Sequence, residues 1–366
     1  RADIFCTTEE GIGGQKAVDW RLVDEVVPGS QFARQVQRRA EEFAAQSTRP
    51  EDMAAITLTP LTRTIEADTL RYPHLRVELD RDRSQATLTL NGPDQPAPAT
   101  VEAVAAQGAE FWPLALARQL DDALLHLRTN EPELGTLVIR TEGDGGGVYD
   151  YDRLLAEHAA EDGLLREIIL YWKRTLKRLD LTSRSTIALV DQGSCFCGFL
   201  AELLFSVDRS YMLEGQYEDD DRPAAAIRLS AFNFEGLPMV NGWSRLQTRF
   251  LGEPESLETA RNLMGEPLEA DAAQQFGLIT EALDDIDWSD EIRMMLEERA
   301  SFSPDALTGM EANLRFAGPE TMESKIFARL SAWQNWIFQR SNAVGEQGAL
   351  KLYGSGARPE YDRRRV

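Results

Sequence analysis

The chain has 366 residues, 43% of them apolar and 27% charged, with a formal charge of −22. That apolar share supports a sizeable core and excludes a wholly disordered chain. So negative a field repels nucleic acid and anionic membrane surfaces, although a small anion can still bind where arginines and backbone donors gather.

Residues 1–45 read as a turn, a short strand at 22–27, Pro28-Gly29 and a helix. This stretch recurs. Ala17-Val18-Asp19-Trp20-Arg21-Leu22-Val23-Asp24-Glu25-Val26-Val27 aligns with Ala273-Gln274-Gln275-Phe276-Gly277-Leu278-Ile279-Thr280-Glu281-Ala282-Leu283, an offset of 256 residues. A charged amphipathic run follows each copy. The offset is too long for a solenoid repeat and suits a whole domain. Residues 1–45 are therefore expected to be the tail of a first domain, and the initial Arg1 fits a sequence that starts inside a longer protein. Residues 46–70, rich in Thr and Pro with little period, read as a linker to a second domain over 71–302.

That domain opens with two alternating runs, 75–79 and 86–90, broken by Asp80–Ser84, which predicts a hairpin. The Pro- and Ala-rich segment 92–107 reads as a loop or insertion. A helix is expected over 114–127, where Leu116, Leu120, Ala123, Leu124 and Leu127 recur at helical spacing. The strand 137–139 runs into Gly143-Asp144-Gly145-Gly146-Gly147. A helix at 164–179, a strand at 186–190, a glycine-containing turn and a helix at 198–207 come next. This order predicts parallel strands with crossover helices, with ligands at the carboxyl ends of the strands.

Three cysteines, Cys6, Cys195 and Cys197, are too few for a disulfide framework. With His74, His126 and His158 they show no zinc-ligand spacing, so no metal is expected and reduced, buried thiols are the reading. Asp219-Asp220-Asp221 reads as a solvated loop. No run approaches the roughly twenty apolar residues of a membrane span. Residues 303–366 read as a helical extension. Phe327, Leu330, Trp333 and Trp336 recur there every three residues, an apolar stripe suited to a core or a dimer face.

Taken in order, four pieces resemble the crotonase (enoyl-CoA hydratase/isomerase) superfamily. They are Leu137-Val138-Ile139-Arg140-Thr141 with its glycine-rich follow-on; Ile187-Ala188-Leu189-Val190-Asp191-Gln192-Gly193 through Glu202 to Asp208; Gly236-Leu237-Pro238 with Arg245-Leu246; and Gly265-Glu266-Pro267-Leu268-Glu269-Ala270 leading to Gly277-Leu278-Ile279. The resemblance implies an α/β crotonase-like fold, a twisted sheet wrapped by helices with a C-terminal helical extension. It also implies that two backbone N–H groups stabilise a thioester oxyanion, as electrostatic preorganisation requires. The donors would fall at Gly147 and Tyr149 on one turn and at Gly198 and Phe199 on the other. Glu202, six residues before Asp208, matches the first of two acid/base glutamates, with an ordinary helix position as the equal alternative. The second glutamate has no counterpart in 229–234, and Gly198 stands alone between Cys197 and Phe199 where the family has a glycine run.

The last quarter resembles a double-length branch of the superfamily. The residues that carry it are Ser303-Pro304-Asp305-Ala306-Leu307-Thr308-Gly309-Met310-Glu311-Ala312-Asn313-Leu314-Arg315, Ala332-Trp333-Gln334-Asn335-Trp336-Ile337-Phe338 and Asn342-Ala343-Val344-Gly345. That branch opens the ring of 2,3-epoxy-2,3-dihydrobenzoyl-CoA in aerobic benzoate breakdown. The resemblance implies addition of two waters, release of formate, and 3,4-didehydroadipyl-CoA semialdehyde as product. It further implies a soluble homodimer that acts on a CoA thioester without metal. The reduced thiols read as those of a cytoplasmic protein, and the charge argues against nucleic acid and membrane as partners. No cofactor is expected, because no dinucleotide fingerprint stands in a strand-turn-helix context. The absent second carboxylate leads to the expectation that the first domain holds the main acid/base residues. A hydratase or isomerase acting within this domain, and a non-catalytic dimerisation domain, are the alternatives.

Overall fold

Alternation decides the first long hairpin. In Leu75–Asp80, Leu75, Val77 and Leu79 are buried while Arg76 and Glu78 are exposed, so one face meets the core and the other water. Its partner Gln85–Asn91 runs antiparallel with Val77 opposite Leu88, as the broken alternation predicted. In the computed structural model, which describes residues 1–48, 56–217 and 220–365, the chain forms two units, Arg1–Met53 and Ala54–Val366.

The larger unit is built on an eight-stranded sheet. Its strands are β1 (Thr64–Ile65), β2 (Thr69–Arg71), β3 (Leu75–Asp80), β4 (Gln85–Asn91), β5 (Thr136–Glu142), β6 (Ser185–Val190), β7 (Arg209–Glu214) and β10 (Glu281–Asp284). β8 (Ile227–Arg228) and β9 (Pro267–Leu268) form a separate antiparallel pair. The order is β1-β2-β3-β4-β5-β6-β7-β10, antiparallel as far as β4 and parallel from β4 to β10. Every residue of β6 is buried, as expected of a parallel strand covered on both faces.

Two segments depart from the sequence reading. Part of the expected linker pairs into the sheet, because Thr69 and Leu70 supply the backbone partners that β3 would otherwise lack on its outer edge. Within 92–107, Val101–Gln107 is a helix whose N-terminus is capped by Thr100. The helices Trp112–Asn130 and Gly163–Asp180 contain the predicted ones and pack together, the Trp172 indole donating to the Pro113 carbonyl at 2.9 Å. A further helix, Gly145–His158, begins inside the glycine run.

The C-terminal helices are tied to the sheet by a buried cluster at the start of β6. Glu311, on the helix Pro304–Arg315, accepts from Arg299 at 2.6 Å, from Arg365 at 3.0 Å and from the Ser185 hydroxyl. The aromatic stripe is not core: Phe327 and Leu330 are exposed, and Trp333 stacks edge-on against Trp336 at 5.3 Å. Among the described residues no helix is long and apolar enough to cross a membrane.

The small unit contains the helices Ala2–Cys6, Gly14–Asp19 and Phe32–Ala45. The strand expected at 22–27 does not form. Its backbone finds no neighbouring strand among the described residues of this unit, and an isolated strand has no partners for its N–H and C=O groups.

Candidate active site

The carboxyl ends of β5 and β6 open onto a cavity of about 480 Å³. The turn Gly143–Gly146, Ser194, Cys197, Arg222 and Arg228 line it. Arg228 stacks over the Tyr149 ring at 4.3 Å, and Arg222 pairs with Asp220 at 2.5 Å. Asp219, of the acidic loop, lies outside the described residues.

Both turns that the sequence singled out are here, and one backbone donor on each, Gly147 and Phe199, already has a side-chain acceptor. Asp144 caps the helix Gly145–His158, taking the N–H of Gly146 at 3.0 Å and of Gly147 at 2.9 Å. Tyr149 lies within that same helix. On the other turn, the Phe199 N–H donates to the Asp152 carboxylate at 2.7 Å, and the Ser230 hydroxyl donates to the same oxygen at 3.0 Å. Gly198 has φ of +54°, and a Cβ built there would lie 2.3 Å from the Asp152 carboxylate. Only glycine gives both that conformation and that approach. The Phe199 ring points into the core between Trp172, at 4.8 Å, and Trp112, at 5.6 Å.

Asp152 is buried, and burial pushes its carboxyl up to about 7. The hydrogen bonds from Ser230 and Phe199 pull it the other way without offsetting the loss of water, and the nearby Glu202 raises it further. Glu202 itself has no exposed surface. Asn233 donates to one of its oxygens at 2.9 Å and Arg245 to the other at 2.7 Å. Arg245 also grips Asp180 with two bonds, at 3.0 and 2.6 Å. Asn233 donates in addition to the Gly198 carbonyl at 3.0 Å, so one buried network runs from the Asp152 turn to Asp180.

Chemically, the network holds a turn in place. The Glu202 carboxyl is enclosed by Asn233 and Arg245 and has no surface open to bulk water. A thioester oxygen at the Phe199 N–H would have to displace the Asp152 carboxylate. Cys195 and Cys197 are buried and unpaired, and burial pushes each thiol up to about 12, so neither is a ready nucleophile.

Sequence reasoning passed over Asp152, Ser230, Asn233 and Asp180. No motif marks them, since each matters through a neighbour 31 to 78 positions away in the chain. Among the described residues no cluster of His, Cys, Asp and Glu is arranged to hold a metal ion.

This geometry sits in a known architecture. An enoyl-CoA hydratase of Geobacillus kaustophilus superposes with a TM-score of 0.57 at 14% identity, covering 83% of this chain and 100% of its own. One from Bacillus anthracis gives 0.53 at 13% identity, covering 84% and 100%. The fold is thus that of the crotonases. No protein-family model matches the chain. Over 365 residues, 100% of this chain, it is 47% identical to the benzoyl-CoA-dihydrodiol lyase of Aromatoleum evansii. It spans 65% of that relative's length.

Proposed function

We propose that this chain is part of a benzoyl-CoA-dihydrodiol lyase, in which its own crotonase-like domain serves as scaffold while the reacting groups lie in the remaining third of the protein. The 47% identity maintained across the full chain carries the assignment. The complete enzyme adds two waters to 2,3-epoxy-2,3-dihydrobenzoyl-CoA and releases formate, leaving 3,4-didehydroadipyl-CoA semialdehyde. It uses no redox cofactor, because water addition and C–C cleavage balance without an oxidant.

The scaffold reading rests on the filled donors. An oxyanion hole works by presenting free N–H groups to the charge that develops in the transition state. Here Gly147 and Phe199 donate to Asp144 and Asp152 instead, and Glu202 is locked against Arg245. The pairs Gly147/Tyr149 and Gly198/Phe199 are accordingly read as the remains of an oxyanion hole, now serving to hold the turns. A dimer in the cytoplasm completes the proposal. The exposed Met310, Leu314, Met322, Phe327 and Leu330 give the C-terminal helices an apolar surface suited to a second subunit.

The test is a formate assay on the complete protein supplied with 2,3-epoxybenzoyl-CoA. One formate per thioester consumed is the expected result. Consumption without formate would replace the lyase by another CoA enzyme of the same fold.

A further inference from the structure

The small unit repeats part of the large one helix for helix. Gly14–Asp19 corresponds to Ala270–Gln275 and Phe32–Ala45 to Trp288–Ser301, each pair offset by the 256 residues found in the sequence. Between the helices, Arg21 at φ +60° stands where Gly277 stands at φ +69°. The same bond closes both turns: Leu22 N–H to the Ala17 carbonyl at 2.9 Å, and Leu278 N–H to the Ala273 carbonyl at 2.8 Å. Two segments have folded into one module.

Their surroundings differ. In the large unit Leu278 and Ile279 are 0% and 3% exposed, and Trp288 and Ile292 are 6% and 8% exposed, because the module lies on the sheet and its β10 runs parallel to β7. Their counterparts Leu22, Val23, Phe32 and Val36 are 44%, 46%, 60% and 52% exposed. Val23, Phe32 and Val36, with Val26 and Phe43, line an apolar groove of about 630 Å³. A monomer seldom leaves so continuous an apolar face to water.

We propose that this groove seats a second crotonase-like sheet, supplied by a preceding domain of the complete protein, and that residues 25–28 join that sheet as a parallel edge strand. The register follows the large unit, where Glu281, Ala282, Leu283 and Asp284 lie opposite Tyr211, Met212, Leu213 and Glu214. Size agrees. The 365 matched residues are 65% of the relative, which leaves about 195 residues outside the match. In the large unit the residues from Leu75 to Glu269, also about 195, separate the first long strand from the module. Another copy of this chain is the poorer occupant, since its β7 already carries β10 on the side that residues 25–28 require. Strand addition of this kind satisfies the backbone groups that residues 25–27 leave open.

The test is amide hydrogen exchange, read by mass spectrometry on the complete protein and on the 366-residue chain. The proposal expects the amides of Glu25, Val26 and Val27 to exchange at least 100-fold more slowly in the complete protein. Leu22→Asp should restore fast exchange there and leave residues 281–284 protected. Equal exchange in the two proteins would overturn the proposal. So would protection that appears in the short chain as its concentration rises, which would identify a second copy as the occupant. None of these outcomes depends on formate release, so this inference and the lyase assignment fail separately.

Discussion

Replacing Arg245 by Met is expected to remove about 3–5 kcal/mol of stability, read as a lower urea midpoint. The guanidinium is 1% exposed and pairs with Asp180 at 2.6 Å and Glu202 at 2.7 Å, each of them no more than 2% exposed. Its loss strands two carboxylates in the interior, where an uncompensated charge costs far more than the intact pair contributes. The triple change Arg245→Met, Asp180→Leu, Glu202→Leu removes all the charges together and should recover most of the loss. A triple variant no more stable than Arg245→Met would show that the network acts through shape and not through charge compensation.

Asp152 gives the second large effect, and it depends on pH. An unfolded aspartate ionises near 3.8, whereas in the folded protein burial pushes this carboxyl up to about 7. Between those values the unfolded state has released a proton that the folded state retains, so the contribution of Asp152 to stability falls as pH rises. It is fully present below about pH 4 and lost by about pH 7. Three pH units amount to roughly 4 kcal/mol. Asp152→Asn removes this contribution and keeps an oxygen able to accept from the Phe199 N–H. The stability difference between wild type and variant, measured by denaturant titration at pH 4.5 and at pH 7.5, should therefore shift against the wild type at the higher pH. A difference that stays constant would mean that Asp152 is ionised throughout.

Much of the architecture was legible because it follows from periodicity. The alternation at 75–79 and 86–90 and the helical spacing of Leu116, Leu120 and Leu127 specify faces, and the faces specify layers. The recurrence of residues 17–27 at 273–283 marks the pair of helices that both units contain. What escaped reading was context. Residues 22–27 have strand composition and remain unpaired, whereas their copy becomes β10 because β7 lies beside it. The helix Gly145–His158 starts in three glycines, poor helix formers, and is set by the Asp144 cap. In the site, the family resemblance pointed to Glu202 but could not show that Arg245 and Asn233 enclose it. Asp152 had no signal at all: its meaning comes from Gly198 and Ser230, which the chain brings back to it only after folding.

The claim that this domain supports the chemistry without performing it turns on Glu202. The most direct measurement is the rate of formate release by the complete protein carrying Glu202→Gln, normalised to folded protein by circular dichroism. Glutamine retains an oxygen for Asn233 or Arg245, and Arg245 keeps Asp180. The account predicts a rate within about twofold of wild type. General acid–base catalysis at this position would instead cost about 10²–10⁴-fold. A folded variant with a loss of that size would place the reaction in this domain and contradict the account.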